Sequence, residues 1–257
     1  MRGPATGLAL AIVVVTAAVV LVLGVRHMSR MTPTDDTPQV YDRSALVASL
    51  SAAGHQMGDP AHVRIFKREN RLELWLAGDD GRYSKFRDYE ICRYSGELGP
   101  KLAEGDRQAP EGFYRVGLAQ LNPNSRHHLS FNLGFPNAYD RQHDRTGSAL
   151  MVHGGCSSIG CYAITDAHVD EVYAVVEAAL KAGQDAVDVH VFPFRLSSEA
   201  LSAAADAPWL GFWRNLKQGY DLFEAQRQPP KVAACAGRYV FGTEAEGSEC
   251  AAIVAWS

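Results

Sequence analysis

A chain of 257 residues with 29 acidic and 25 basic side chains carries a formal net charge of −4 and scatters its Lys and Arg, which leaves no basic face for nucleic acid. Hydrophobic residues make up 47%, enough for a real core in one large domain or two small ones.

In chain order, the first feature is Gly7 to Val25, an uncharged run dominated by Ala, Val, Leu and Ile. Such a run is long enough to cross a bilayer as a helix, for which about 20 apolar residues suffice. It exceeds the usual h-region of a cleaved signal peptide, and Gly24-Val25-Arg26-His27-Met28 is a poor cleavage site. An uncleaved signal anchor in the inner membrane is expected, with a cleaved signal peptide as the alternative. Arg2 precedes the run and Arg26 and Arg30 follow it, so charge does not set its orientation. Ser29 to Gln39, rich in Thr, Asp and Pro, reads as a linker.

Ser44 to Ala53 predicts a short helix stopped by Gly54. Val63 to Phe66 and Leu72 to Leu76 alternate apolar and polar residues, with Glu69-Asn70 between them, and predict a hairpin. Lys67, Arg68 and Arg71 then read as a solvated turn. Tyr89 to Tyr94, Phe113 to Leu118, Leu129 to Leu133 and Ala149 to Val152 predict further strands, the first followed by a loop through Gly96, Gly99 and Gly105. Asp166 is the expected N-cap of a helix in which Val169, Val172, Tyr173, Val176 and Leu180 share one face. Val187, Val189 and Val191 alternate with Asp188 and His190 in a strand ended by Pro193, and His190 reads as structural. Ser198 to Ala205 and Trp209 to Ala225 predict two more helices. The fold class is mainly β with peripheral helices (α+β).

The chemistry is concentrated in Met151-Val152-His153-Gly154-Gly155-Cys156-Ser157-Ser158-Ile159-Gly160-Cys161-Tyr162. A cysteine is strongly nucleophilic as a thiolate and needs a base or positive charge nearby to reach that state. His153 can be that base and Cys161 that nucleophile. The glycines let backbone N–H groups approach a substrate oxyanion. Gly160 and Cys161 are the candidate oxyanion donors, and Ser158 either hydrogen-bonds within the loop or meets substrate.

His153-Gly154 followed by Ser158-Ile159-Gly160-Cys161 resembles the signature of the L,D-transpeptidases, the YkuD-like catalytic domain of bacterial cell-wall enzymes. Gly105 to Tyr114 (Gly105-Asp106-Arg107-Gln108-Ala109-Pro110-Glu111-Gly112-Phe113-Tyr114) resembles the family's upstream Pro-x-Gly-x-Phe/Tyr segment. Residues from about Val63 to Phe194, and more loosely Trp209 to Glu224, resemble its YafK-like branch. One position departs: many members carry an arginine two residues after the nucleophile, where this chain has Ala163. The resemblance implies a YkuD-like β-sandwich or barrel core and a catalytic domain outside the inner membrane. It also implies a His153 oriented by the Gly154 carbonyl, and stem peptides of meso-diaminopimelate peptidoglycan as substrate. The outcome is either a cross-link or a cut, including hydrolysis that releases a wall-attached protein. No cofactor is implied. The implied organisation is a signal segment over 1–28, linker and short helix over 29–60, catalytic domain over 61–196, and C-terminal helices with a tail over 197–257.

The other positions stay open. Cys235 and Cys250 flank a short glycine-containing segment and form the expected local disulfide, which requires an oxidising compartment. Cys156 is left with three roles: redox modulation, pairing with Cys92, or packing. His127, His128 and His143 fall in polar loop sequence and read as surface residues. Asn137, Tyr139 and Arg141 are candidates for a substrate groove, with a structural loop as the alternative. Two rival readings are a zinc module built on His153, Cys156 and Cys161, and a non-catalytic wall-binding domain.

Overall fold

A computed structural model describes residues 41–247 and 249–256. The expected signal segment and the linker up to Gln39 lie outside the described residues. Among the described residues no helix is long and apolar enough to cross a membrane. Residues 42–257 pack as one compact unit.

Two five-stranded sheets carry the architecture. The first has the order β3 (Tyr83–Glu90), β2 (Arg71–Ala77), β1 (Ala61–Phe66), β10 (Val187–Phe192), β5 (Gly112–Val116). The second has the order β4 (Arg93–Tyr94), β9 (Tyr162–Ala163), β8 (Met151–His153), β7 (His128–Asn132), β6 (Leu121–Ser125). Each sheet has one parallel contact, β1 with β10 and β8 with β9; the other neighbours are antiparallel. Helix α1 spans Ser44–Ala52 and the short α2 spans Ala138–Gln142. Helix α3 (Asp166–Lys181) packs against β1 and β10 of the first sheet and against β7 and β8 of the second. Its Val169, Val172, Tyr173, Val176 and Leu180 are buried, as their spacing predicts.

Thr165, not Asp166, caps α3, accepting from the His168 N–H at 3.4 Å. Asp166 is diverted: its carboxylate accepts the Gly155 N–H at 2.7 Å and so braces the loop that ends in Cys161.

Helices α4 (Ser198–Ala203) and α5 (Leu210–Gln226) follow. A third sheet, in the order β12 (Arg238–Phe241), β11 (Val232–Cys235), β13 (Ala251–Ala252), closes the C-terminal region and packs on α2 and α5. It contains the Cys235–Cys250 disulfide, with Cα atoms 4.5 Å apart. The sequence reading has only helices and a tail here, because these strands are two to four residues long.

The alternation in β1, β2 and β10 does not mark a solvated face. All six residues of β1 are buried. Val63, Ile65, Val189 and Val191 occupy one face. His62, Arg64, Phe66, His190 and Phe192 occupy the other, where the cluster around Trp213 and Leu216 of α5 covers them. The polar members are absorbed by aromatic neighbours: Arg64 lies 4.7 Å from the ring centroids of Tyr220 and Phe223 and bonds Glu224 at 2.7 Å. The Lys67 position is also corrected. Its side chain is fully buried rather than solvated, because the chain over 97–111 folds across it and surrounds the ammonium with carbonyl oxygens.

His62 and His190 sit ring to ring at 4.4 Å. Burial pushes His62 down to about 3, with Arg64 adding to the shift, and pushes His190 well below its ordinary 6.5. The unfolded chain therefore takes up protons that the folded chain refuses. The stability held above pH 6.5 is lost as pH falls toward 3, at up to about 1.4 kcal/mol per pH unit for each histidine. Asp188, which accepts from His62 Nδ1 through its carbonyl, opposes this: burial raises its carboxyl to about 6, so its share is lost as pH rises from 3.8 to 6. Two histidines outweigh one carboxyl, and urea midpoints should fall between pH 7 and pH 5. In His190→Leu the fall should be shallower; an unchanged fall would show that His190 is not held neutral.

Candidate active site

The parallel pairing of β8 with β9 sets the site. Val152 lies opposite Tyr162 and His153 opposite Ala163. Side chains alternate faces along a strand, so Cys161 and His153 emerge on one face, two residues apart in register. Both line a cavity of about 420 Å³ with Arg93, His127, Ala149, Met151, Cys156, Ser157, Ser158 and Ile159. Ile159 stands at the rim, 77% exposed.

The loop between the two strands is held at several points. The Thr165 N–H donates to the Gly155 carbonyl at 3.0 Å, and the Gly155 N–H donates to Asp166. Ser158 Oγ accepts the Cys161 N–H at 3.0 Å and donates to the Cys161 carbonyl at 2.6 Å. The Gly160 N–H donates to Ser95 Oγ. Gly160 adopts φ +91°, a conformation that favours glycine. Cys156 is joined to Cys92, with Cα atoms 5.4 Å apart, which ties the loop to the start of β4. Of the three roles left open for Cys156, the structure selects pairing.

Cys161 carries the free thiol, buried to 8% exposure, with Sγ 3.5 Å from the Ala149 carbonyl. Burial pushes its pKa above the ordinary 9.0, against smaller pulls from the Met151 backbone and the Lys101 charge. His153 Nδ1 lies 2.6 Å from the Gly154 carbonyl oxygen. A carbonyl only accepts, so this contact assigns the proton to Nδ1 and leaves Nε2 with its lone pair. Burial lowers the His153 pKa below 6.5, the Gly154 bond raises it, and His127 lowers it again. Burial thus favours the neutral form of both the imidazole and the thiol. That suits proton transfer to Nε2 as sulfur attacks, rather than a preformed ion pair.

Several expectations are corrected. The Gly160 and Cys161 N–H groups, expected as oxyanion donors, are engaged by Ser95 and Ser158. Asn137, Tyr139 and Arg141 do not line the cavity with Cys161. Asn137 caps α2 through the Asp140 N–H at 2.8 Å and donates to the Phe113 carbonyl at 2.8 Å. Tyr139 is stacked on Tyr239 at 4.1 Å. Arg141 donates to the Pro136 carbonyl and, with Asn137, lines a separate cavity beside Trp256. A zinc site on His153, Cys156 and Cys161 loses a ligand, since the Cys156 sulfur is bonded to Cys92.

His127 and Arg93 escape the sequence reading. His127 is exposed, but its ring lies 4.5 Å from that of His153, tilted by 32°. Register explains this: Ser130 of β7 lies opposite His153, which brings the 127–128 turn beside Gly154. His128 bonds Asp170 at 2.7 Å and His143 contacts the Gly237 carbonyl at 2.9 Å, both away from the cavity.

Residues 61–189 match the family described as the YkuD L,D-transpeptidase catalytic domain. Over 184 residues the chain is 46% identical to the Escherichia coli K12 protein named "Putative L,D-transpeptidase YafK", which covers 72% of this chain and 74% of that protein; the O157:H7 counterpart matches equally. The chain belongs to the L,D-transpeptidase family. The crystal structure of the helical cell shape determining protein Pgp2 (K307A mutant) from Campylobacter jejuni is similar at 20% identity and a TM-score of 0.43, covering 68% of this chain and 62% of that one. The structure of Bd1075 from Bdellovibrio bacteriovorus is similar at 16% identity and a TM-score of 0.37, covering 66% and 61%.

In this L,D-transpeptidase domain, Gly154 has no room for a side chain. An added Cβ would fall 2.5 Å from Asp166 Oδ1 and 2.7 Å from the His127 backbone carbonyl. Gly154→Ala should therefore displace the peptide that orients His153. A shift of about 1 Å costs roughly 100-fold in turnover. Assay of folded Gly154→Ala checks this; full activity would show that the Gly154 contact is dispensable.

Proposed function

We propose that this enzyme acts on peptidoglycan stem peptides through a Cys161 thioester. One observation carries the reading: four of the five cysteines are joined as Cys92–Cys156 and Cys235–Cys250, and the fifth, Cys161, shares a cavity with a histidine whose Nδ1 is pinned. His153 Nε2 takes the thiol proton as Cys161 Sγ attacks the carbonyl carbon of a peptide bond beside a D-centre. The tetrahedral adduct collapses, the C–N bond breaks, and the leaving amine takes the proton from His153. An acceptor amine or water then attacks the thioester, giving its proton to His153. The C–S bond breaks and the thiol is restored. An amine acceptor yields a cross-link and water yields a shortened peptide.

The two disulfides support an oxidising compartment, in keeping with a catalytic domain on the outer side of the inner membrane. Incubation with disaccharide-tetrapeptide followed by mass spectrometry tests the reaction. A cross-linked dimer marks transfer and a disaccharide-tripeptide marks hydrolysis. Unchanged muropeptide with folded, reduced-Cys161 protein overturns the reading.

A further inference from the structure

The cavity around Cys161 is lined by one arginine and two histidines, with no aspartate or glutamate among its residues. Arg93, His153 and their common neighbour Ala163 form a row across three strands: Arg93 of β4 lies opposite Ala163 of β9, and Ala163 lies opposite His153 of β8. Residues opposite one another project to the same face. Ala163 is fully buried and does not line the cavity, whereas Arg93 and His153 on either side of it do. Strands are spaced about 4.8 Å apart, so the Arg93 backbone stands roughly 10 Å from that of His153.

Arg93 is exposed and has no carboxylate partner among the described residues. Lys101, whose charge acts on Cys161, is already bound to Asp106 at 2.5 Å. Arg93 is also anchored: the preceding residue, Cys92, is bonded to Cys156 of the nucleophile loop. An arginine held at the wall of an acid-free cavity is suited to bidentate capture of a carboxylate.

We infer that Arg93 is a specificity-determining residue that binds a carboxylate of the acyl donor next to the bond attacked by Cys161. The inference rests on the stem-peptide reading above. An extended peptide advances about 3.3–3.6 Å per residue, so the carboxylate belongs within one or two residues of the attacked carbonyl. In a tetrapeptide stem three groups meet that condition: the terminal carboxylate of the leaving residue, the side-chain carboxylate of the diaminopimelate, and the free α-carboxylate of the γ-linked glutamate before it.

The test is binding of synthetic tetrapeptide stem to full-length Cys161→Ala protein by calorimetry, with and without Arg93→Gln or Arg93→Lys. Four ligands are compared: the free peptide, its C-terminal amide, its diaminopimelate side-chain carboxamide, and its glutamate α-carboxamide. Arg93→Gln should weaken the free peptide by about 10–100-fold, the range of a charge-assisted hydrogen bond, and Arg93→Lys by less. One of the three amides should bind as weakly to the parent as to Arg93→Gln, which identifies the carboxylate. If the free peptide binds and Arg93→Gln leaves its affinity unchanged, the Arg93 assignment is overturned and the stem-peptide reading stands. If the free peptide does not bind and does not acylate wild-type Cys161, the stem-peptide reading falls and the Arg93 assignment falls with it.

Discussion

Cys161→Ala should lose turnover of muropeptides by on the order of 10⁴–10⁶-fold, the range seen when a nucleophile is removed from a site whose members act as a unit. The fold should survive. Cys161 is the unpaired cysteine, and both disulfides are left intact by its replacement. His153→Ala should cost about 10²–10⁴-fold, the share of a general base. The double variant should be little worse than Cys161→Ala, because the base has no proton to take once the thiol is gone. Steady-state assays on the three proteins decide the point. A Cys161→Ala enzyme with wild-type turnover removes the nucleophile assignment.

Lys67→Met should produce the largest loss of stability. The ammonium is fully buried and donates to the carbonyls of Glu97 at 2.7 Å, Gly99 at 3.0 Å and Ala109 at 3.1 Å, and to Glu111 Oε1 at 3.0 Å. Glu111 also accepts from the Gly99 N–H at 2.6 Å and from Trp213 Nε1 at 2.9 Å. Burial pushes the Lys67 pKa down and Glu111 pulls it back up. Breaking a buried pair from one side leaves an uncompensated charge and costs about 3–5 kcal/mol. Domains of this size lose about 2–4 °C per kcal/mol, so Tm should fall by roughly 6–20 °C. Lys67→Met with Glu111→Leu should recover part of the loss, since neither charge remains. Thermal unfolding of the two single variants and the double variant measures the coupling. A loss under about 1 kcal/mol in Lys67→Met would show that the pair is not the anchor of the 97–111 segment. That segment matters to the site because Ser95 just before it accepts the Gly160 N–H.

The candidate pair was legible in the chain because its elements are local. His153 and Cys161 lie eight residues apart on adjacent strands, and the glycines and serine between them are turn chemistry that a sequence displays directly. The hairpin of β1 and β2 and helix α3 were legible through their periodicity. What escaped depends on distant packing. His62 and Arg64 stand at polar positions of β1, but α3 covers one side of the sheet and the cluster around α5 the other, so both are interior residues, as His190 is. Lys67 reads as a turn lysine until residues 97–111 fold over it. Asp166 is a good N-cap by type, yet the loop amide of Gly155 takes its carboxylate. Arg93 and His127 reach the cavity only through the registers of β4 with β9 and β7 with β8. Asn137 and Tyr139 precede the catalytic strand in sequence but are spent on capping α2 and on stacking.

Intact-protein mass spectrometry after brief exposure to disaccharide-tetrapeptide tests most directly whether Cys161 forms a thioester with a wall stem peptide. The expected result is an added mass equal to the disaccharide-tripeptide acyl group, mapped to the peptide containing Cys161 and removed by hydroxylamine, with no adduct in Cys161→Ala. An adduct on another residue, or product formation by a Cys161→Ala enzyme, would contradict the thioester.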